Sequence, residues 1–244
     1  MTVVKTVFWF IRFVLYLIVV EPLHQRAVRL RKKGMTEAHD ALVRRVVHHW
    51  AQCLIRWAGG TVTVEGLEHM PKTPAVYVCN HRSYADIPVI LGWLGDTPIP
   101  LLAKKQIGKL PLIRGWMEEL HCVFLDRDDM REGIKNLKEA EDWVRAGYSM
   151  VVFPEGTRSK DGSLGEFKAG AFRIAQKNKV PVVPFCMKNT DKLMARDTFW
   201  IHAAHSKIKI LPPIDTAAYS KEDWRHLPKL TEDMVRTGLE TMED

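Results

Sequence analysis

Short apolar runs alternate with amphipathic helical segments along most of the chain. Seven runs of strand character stand at residues 61–65, 75–79, 98–103, 122–125, 149–153, 181–186 and 207–211. Helical periodicity fills residues 86–93, 131–146 and 170–178, and again the tail at 220–242, where Pro228 predicts an interruption. Strands that alternate with helices in this way predict an α/β fold with a mixed, largely parallel sheet flanked by helices.

Residues 3–20 have a different texture, because nearly all of them are apolar. Only Lys5 and Arg12 carry charge in this stretch. A helix needs about 20 apolar residues to cross a bilayer, and the uninterrupted part, residues 13–20, is much shorter. We therefore predict a helix that dips into the membrane interface or barely crosses it. The stretch has no small-residue cleavage site at its end, so we expect it to be retained in the mature protein.

A second apolar helical face follows at residues 41–57. It consists of Val43, Val46, Val47, Trp50, Leu54 and Trp57, and polar or charged residues cover the opposite face. Such a helix either packs on its own domain or faces a membrane beside the first helix. We favour the second arrangement, which predicts a membrane-associated two-helix module over residues 1–60 and an α/β domain over residues 61–244.

The charge of the chain is concentrated at the same end. Residues 1–60 hold ten Lys and Arg against three acidic residues, a balance of +7 that equals the net charge of the whole chain. A basic excess at one end predicts an anionic partner surface, either nucleic acid or the cytoplasmic leaflet of a membrane. The apolar stretch beside it favours the membrane, so no nucleic acid is expected as a partner.

Cysteine spacing bears on both metal sites and compartment. Cys53, Cys79, Cys122 and Cys186 are far apart, with no C-x-x-C pair and no histidine at metal-ligand spacing. They are predicted to be buried free thiols in a reducing, cytosol-facing domain. No metal site is predicted.

A candidate catalytic pair follows the predicted strand at residues 75–79. His81 and Asp86 stand five positions apart at its end, where α/β sheets usually place their chemistry. A neutral imidazole there can take a proton from an alcohol, and a carboxylate on its other nitrogen would fix the tautomer. The alternative is structural: Ser83 and Asp86 form a capping-box pattern, in which Asp86 only covers free N–H groups at a helix start.

A candidate anion site follows the predicted strand at residues 149–153. The turn offers Glu155, Gly156, Thr157 and Arg158, and so backbone N–H groups, a hydroxyl and a guanidinium that can hold one phosphate. The alternative is a surface turn in which Arg158 pairs with Glu155 or Glu166.

Further cations follow two other predicted strands. Lys105 lies after residues 98–103, and Arg127 lies after residues 122–125. At the same sheet edge as His81 they would orient a phosphorylated substrate. The alternatives are that the lysine is merely solvated and that Arg127 pairs with a neighbouring aspartate.

Taken in order, these pieces resemble the glycerolipid acyltransferase family, and within it the bacterial 1-acyl-sn-glycerol-3-phosphate acyltransferases. The four blocks are N-H-x(4)-D at Asn80, His81 and Asp86, then Lys105, Pro111, Gly115, Phe124 and Arg127, then F-P-E-G-T-R-S at 153–159, then residues 180–184. A Phe-Lys-x-Gly at 167–170 also fits. The likeness covers about residues 61–213, and the second block has one residue more than the commonest spacing between Pro111 and Gly115.

The resemblance implies transfer of a fatty acyl group from acyl-CoA or acyl-carrier protein to the sn-2 hydroxyl of lysophosphatidate. The product would be phosphatidate, made without a cofactor at the cytoplasmic face of the cell membrane. It assigns His81 as general base and Asp86 as the residue that orients it. The resemblance also assigns binding of the acceptor phosphate to Lys105, Glu155, Gly156, Thr157 and Arg158, with Arg127 as a further member. Another lysophospholipid or a lyso-aminolipid as acceptor stays open.

Two hypotheses from other functional classes compete with the acyltransferase assignment. One is a lipid or thioester hydrolase, because Cys79 and Ser83 lie close to His81 in sequence and residues 161–165 come within one residue of a G-x-S-x-G motif. The other is a non-catalytic protein that binds anionic lipid. It accounts for the charge distribution but leaves His81 and Asp86 without a role.

Overall fold

A computed structural model of the chain describes residues 2–95, 99–126, 129–159, 161–196 and 198–243. The helices are α1 (Thr2–Val19), α2 (Glu21–Lys32), α3 (Thr36–Trp57), α4 (Asp86–Trp93), α5 (Ile113–Glu119), α6 (Met130–Arg145), α7 (Arg173–Asn178), α8 (Thr190–Leu193) and α9 (Lys221–Glu240). The strands are β1 (Thr61–Glu65), β2 (Val76–Cys79), β3 (Leu102–Lys104), β4 (Val123–Leu125), β5 (Met150–Val152), β6 (Val182–Lys188) and β7 (His205–Ile210).

The main sheet has the strand order β1-β7-β6-β2-β5. β2 lies between β5 and β6 and is parallel to both, whereas β7 is antiparallel to β6. The parallel pair β3-β4 continues the sheet beyond β5, because Leu101 bridges to Val151. The predicted mixed, largely parallel sheet is confirmed. Its consequence for the site is that the carboxyl ends of β2 and β5 are neighbours.

Helices cover both faces of this sheet, as the continuous apolar character of β2 requires. Tyr77 and Cys79 belong to the core cluster shared with α3 and α4. Val76 and Val78 alternate with them and belong to the cluster shared with α6, α7 and α9. A strand buried on both sides in this way gives a rigid support to the loop that follows it.

The tail forms one helix, α9, which continues through Pro228. The predicted interruption at that residue was therefore wrong. Proline removes one backbone hydrogen bond, but the face of α9 that carries Leu227, Thr231 and Val235 is buried. Packing of an amphipathic face contributes most of a helix's stability, and here it outweighs the lost bond.

Helix α1 packs with one side against α3 and exposes the other. On the inner side, Lys5 Nζ donates to the Ala58 carbonyl at 2.8 Å and Trp9 Nε1 donates to the Leu54 carbonyl at 2.8 Å. The outer side is apolar and exposed, and it comprises Val3, Val4, Val7, Phe8, Ile11, Val14, Leu15, Ile18 and Val19. By length and composition α1 is the one helix of the described residues that could cross a membrane.

The apolar face predicted on residues 41–57 is not turned to lipid. Val43, Val46, Val47 and Leu54 are 7% exposed or less and share a core cluster with residues of α4 and the sheet. The alternative, a helix packed on its own domain, is therefore the correct one for α3. Residues 2–60 also contain a third helix, α2, which the apolar pattern did not predict because it is mostly polar.

A buried ionic network further joins α2 and α3 to α5. Glu119, which is 2% exposed, accepts hydrogen bonds from Arg31 at 3.0 and 3.1 Å and lies 2.9 Å from His39 Nε2. Burial opposes ionisation of Glu119, but the hydrogen bonds with Arg31 and His39 lower its pKa. His39, Asp40 and His121 are close enough to ligate a metal ion, although both ring nitrogens of His39 already have carboxylate partners.

Candidate active site

Two loops meet at the carboxyl edge of the sheet, one after β2 and one after β5. The backbone N–H of His81 donates to Glu155 Oε1 at 2.7 Å, and the N–H of Ser159 donates to the His81 carbonyl at 2.8 Å. On the other side of β2, the Asn80 amide exchanges two hydrogen bonds of 2.8 Å with the backbone of Met187 in β6. The first and third sequence motifs are thus held together by three neighbouring strands.

His81 and Asp86 form the hydrogen-bonded pair that their spacing predicts. His81 Nδ1 is 2.7 Å from Asp86 Oδ2, and the aspartate is fully buried while the imidazole is 19% exposed. Because a carboxylate accepts from Nδ1–H, it leaves Nε2 without a proton in the neutral ring. Among the described residues Nε2 has no hydrogen-bond partner. The arrangement is that of a general base oriented by a carboxylate.

Asp86 also organises the loop around the imidazole. Its Oδ2 accepts hydrogen bonds from the backbone N–H groups of Arg82 at 2.8 Å and Ser83 at 2.9 Å. Ser83 Oγ accepts from the N–H of Ala85 at 2.9 Å and not from that of Asp86, so only one half of the alternative capping box is formed, the bond from the Ser83 N–H to Asp86. The structural alternative is correct only in part: Asp86 does bind loop N–H groups, and the same oxygen contacts His81.

Phe153 supports the face of the imidazole. The two rings are stacked, with centroids 3.9 Å apart and planes inclined by 23°. Together with the Asp86 hydrogen bond, this contact fixes both the position and the plane of the His81 ring. A base that is held in this way loses little conformational freedom when a substrate hydroxyl binds.

Glu155 lies beneath the site and braces its two loops. It is 6% exposed, and its second carboxylate oxygen accepts from the Gly165 N–H at 2.9 Å. Burial raises the pKa of Glu155 even though the N–H groups of His81 and Gly165 stabilise its charged form. A Cβ at position 165 would lie 2.8 Å from Glu155 Oε2, so a larger residue there would displace the carboxylate. The geometry places Glu155 under the loops that carry the site.

Arg158 presents a cation that no carboxylate of the described residues neutralises. Its Nη1 donates to the Arg196 carbonyl at 3.2 Å, and its Cζ lies 3.8 Å from the centroid of the Tyr84 ring. It forms no ion pair with Glu155 or Glu166, the partners that the structural alternative required, nor with any other carboxylate of the described residues. Arg158 is therefore placed to bind an anion.

The turn before Arg158 differs in detail from the expected anion cradle. Gly156 has a φ of 73°, a left-handed conformation that favours glycine, and its N–H donates to the Phe153 carbonyl at 3.0 Å. The N–H of Ser159 is used on His81, as described above. Thr157 is exposed. An anion at this turn would therefore be held mainly by Thr157 and Arg158, with Gly156 shaping the backbone.

Lys105, the described cation of the second block, has its contact outside these two loops. Lys105 follows β3 at the same sheet edge, but its Nζ is bound to Asp126 Oδ2 at 2.7 Å, and this hydrogen bond raises the pKa of the lysine. No described site residue contacts it. Arg127 lies outside the described residues, so its predicted role is left as a prediction.

The candidate enzyme nucleophiles Cys79, Ser83 and Ser163 are each buried or engaged in a hydrogen bond. Burial raises the pKa of the Cys79 thiol well above its usual value, with Asp86 and Glu155 adding to the effect. Ser83 is fully buried and donates its hydroxyl proton to the Met194 carbonyl. Ser163 lies in a turn where its hydroxyl donates to Asp161 at 2.6 Å. A hydrolase that uses one of these groups is therefore disfavoured.

Sequence reasoning missed the two aromatic contacts of the site. In the sequence Phe153 is visible only as part of a strand and a motif, and Tyr84 only as a residue between His81 and Asp86. Tyr84 meets Arg158 across 74 positions of sequence, a pairing that no local pattern signals.

Comparison with known proteins assigns the family. A family model described as Acyltransferase matches residues 61–188, more than half of the chain, and the match includes both loops of the site. The chain belongs to the acyltransferase family. This confirms the resemblance drawn from the four sequence blocks.

Two curated relatives from this comparison carry the same enzyme name. The chain is 43% identical over 160 residues to the chloroplastic 1-acyl-sn-glycerol-3-phosphate acyltransferase BAT2 of Brassica napus, covering 62% of this chain and 45% of the relative. It is 34% identical over 167 residues to the 1-acyl-sn-glycerol-3-phosphate acyltransferase of Saccharomyces cerevisiae, covering 67% of this chain and 55% of the relative. The chain thus spans about half the length of these curated relatives.

A solved structure matches the family fold over the full chain. The crystal structure of the 1-acyl-sn-glycerophosphate acyltransferase PlsC from Thermotoga maritima superimposes with a TM-score of 0.86 at 27% identity, covering 100% of this chain and 98% of that chain. The match includes the helices before β1 as well as the sheet. The predicted fold class is therefore confirmed.

Proposed function

We propose that this chain transfers a fatty acyl group from an acyl-CoA or acyl-carrier-protein thioester to the sn-2 hydroxyl of lysophosphatidate, forming phosphatidate for phospholipid biosynthesis. The observation that carries the proposal is the pairing of an oriented base, His81, with an Arg158 cation that no described carboxylate neutralises. The names of the relatives support lysophosphatidate as the acceptor. No cofactor is needed, because the thioester supplies an activated acyl group.

The site supports direct transfer without an acyl-enzyme. The acceptor hydroxyl attacks the thioester carbonyl as His81 Nε2 takes its proton, and the tetrahedral intermediate then releases the thiolate. Asp86 stabilises the imidazolium that forms. Binding of the acceptor phosphate at Arg158 and Thr157 holds the hydroxyl against the base, so that positioning contributes much of the rate.

The test is an acyl-transfer assay with purified protein, labelled acyl-CoA or acyl-carrier protein, and a panel of acceptors. Labelled phosphatidate should form with lysophosphatidate, and denatured protein recovered during turnover should carry no label. Failure to form a diacyl product with any donor would overturn the proposal. A preference for another lysophospholipid or a lyso-aminolipid would keep the acyl-transfer mechanism and replace the acceptor.

Arg158→Ala is expected to raise the KM for lysophosphatidate by about 10- to 100-fold with a smaller effect on kcat. A hydrogen bond to a charged group contributes about 1.5–3 kcal/mol, and Arg158 acts on a part of the acceptor that does not react. Arg158→Lys keeps the charge but lacks the planar guanidinium, so its KM should lie between those of the parent protein and Arg158→Ala. An unchanged KM in Arg158→Ala would contradict the assignment of the phosphate to this residue.

We further propose that α1 attaches the protein to the cytoplasmic face of the cell membrane. Its exposed apolar face and the basic excess of residues 1–60 suit an anionic bilayer, where apolar burial and charge attraction act together. Such attachment would bring the site to lipids that rarely leave the bilayer.

The double variant Phe8→Asp and Ile11→Asp should lose at least about tenfold in partitioning onto vesicles that contain anionic lipid. Burial of one large apolar side chain contributes about 1.5–3 kcal/mol, and each new charge adds a repulsive term. Sedimentation with vesicles measures the effect, with Phe8→Leu as the matched control. Equal sedimentation of the three proteins would argue against α1 as the anchor.

A further inference from the structure

Arg158 owes its position to two neutral groups. Its guanidinium carbon lies 3.8 Å from the Tyr84 ring centroid, and one of its terminal nitrogens donates to the Arg196 carbonyl at 3.2 Å. A ring face attracts a cation through its quadrupole without cancelling the charge. A carboxylate in the same place would hold the side chain equally well but would compete with a bound anion.

The Tyr84 ring is itself restrained. It stacks on Phe199 with centroids 6.3 Å apart and planes inclined by 15°. Both aromatic residues are solvent-exposed, Tyr84 by 44% and Phe199 by 65%. Because both rings are exposed to this extent, the stack contributes little to core packing and acts mainly on the orientation of the Tyr84 ring.

Tyr84 also stands in the segment that carries the base. It lies between His81 and Asp86, and it is followed after one residue by the start of α4 at Asp86. The contact with Arg158 therefore links the loop after β2 to the loop after β5, independently of the hydrogen bonds from His81 and Ser159. It sets where a phosphate held by Arg158 would lie relative to the base.

We propose that Tyr84 is a positioning residue for the acceptor: it holds the Arg158 guanidinium flat against its ring, with the charge and the remaining N–H groups directed to the acceptor phosphate. Phe199 supports the ring from the loop that precedes β7. The inference rests on the proposed function for the identity of the acceptor. The inference goes beyond the proposed function because it assigns part of the acceptor affinity to an aromatic residue that takes no part in the chemistry.

The inference is tested by acceptor kinetics and by equilibrium binding of a water-soluble, short-chain lysophosphatidate measured by calorimetry. Tyr84→Leu removes the ring but keeps an apolar side chain, and Tyr84→Phe is the matched control that keeps the ring. We expect Tyr84→Leu to raise both KM and Kd by about 5- to 30-fold, the range of a cation–π contact of about 1–2 kcal/mol. Its kcat should change by less than about threefold, and Tyr84→Phe should stay within about twofold of the parent protein.

Two further measurements separate this role from a structural one. In an Arg158→Ala background, Tyr84→Leu should have almost no additional effect on Kd, because the two residues act as one unit. With 1-acylglycerol, which has the same hydroxyl and no phosphate, Tyr84→Leu should leave the low kcat/KM unchanged. Additive effects on Kd, or a fall in kcat at constant KM, would overturn the inference.

The binding measurement also keeps the two proposals apart. Suppose that the parent protein forms phosphatidate and that the Kd of Tyr84→Leu is unchanged. This result would contradict the positioning role of Tyr84 but not the proposed function. Suppose instead that the parent protein binds the short-chain lysophosphatidate through Tyr84 and Arg158 but transfers no acyl group. This result would contradict the proposed function but not the positioning role. A parent protein that does not bind the short-chain lysophosphatidate would overturn both.

Discussion

His81→Ala is expected to lower kcat by about 10²- to 10⁴-fold, while the KM for the acceptor changes by no more than a few-fold. A positioned acid–base group contributes a factor of this size. Among the described residues, His81 is the only side chain that is hydrogen-bonded to Asp86 Oδ2, because the other two donors are backbone N–H groups. The phosphate of the acceptor binds elsewhere, at Arg158, so its affinity should survive. Steady-state rates of phosphatidate formation measure the effect.

The control for this variant is a histidine away from the site. His226 lies on α9 and is 76% exposed, so His226→Ala should keep kcat within about twofold. Because His81 stacks on Phe153, thermal unfolding should accompany the kinetics to show that the fold is intact. Turnover near that of the parent protein in His81→Ala would remove the residue from the mechanism.

The location of the site was predictable because strand ends are visible in a sequence. The run of apolar residues before His81 and the one before Pro154 marked two strands, and parallel strands bring their carboxyl ends to one edge. That those two strands are immediate neighbours was not predictable, because β2 and β5 are separated by β3 and β4 in the chain. The sheet order results from packing among all strands, which local periodicity does not contain.

The partners of the charged residues were less predictable than their positions. Lys105 was expected among the acceptor-binding residues, yet its ammonium is bound to Asp126. That contact arises because β3 and β4 are paired in parallel, with Lys104 opposite Leu125, which brings the residues that follow each strand together. Arg158, by contrast, was expected to pair with a carboxylate if it were structural, and it contacts a ring and a carbonyl instead.

The apolar face of α3 illustrates why periodicity alone misleads at a membrane-proximal helix. A face covered by lipid and a face covered by protein have the same 3.6-residue period. Val43 and Val47 are buried against the α/β domain, whereas the outer side of α1 is left exposed. Only the partner elements distinguish the two helices, and the partners lie far away in the sequence.

A substitution at Asp86 can separate two effects on His81, the orientation of its ring and the stabilisation of its positive charge. Its Oδ2 takes all three of its hydrogen bonds, from His81 and from the N–H groups of Arg82 and Ser83. Its Oδ1 is buried and has no hydrogen-bond partner among the described residues. An asparagine can therefore place its carbonyl oxygen where Oδ2 lies and its NH₂ group where Oδ1 lies. It would keep the imidazole tautomer and the loop while it removes the negative charge.

Asp86→Asn is accordingly expected to lower kcat by about 10- to 10³-fold. In the parent protein the Asp86 carboxylate stabilises the imidazolium that forms when His81 takes the proton, and Asp86→Asn removes this stabilisation, which for a close opposite charge is typically about 1.4–4 kcal/mol. Asp86→Ala should lower kcat and in addition reduce the free energy of unfolding by about 2–4 kcal/mol, since it leaves buried N–H groups unpaired. If Asp86→Asn kept the parent kcat, Asp86 would only hold the loop, and the negative charge would have no part in the mechanism.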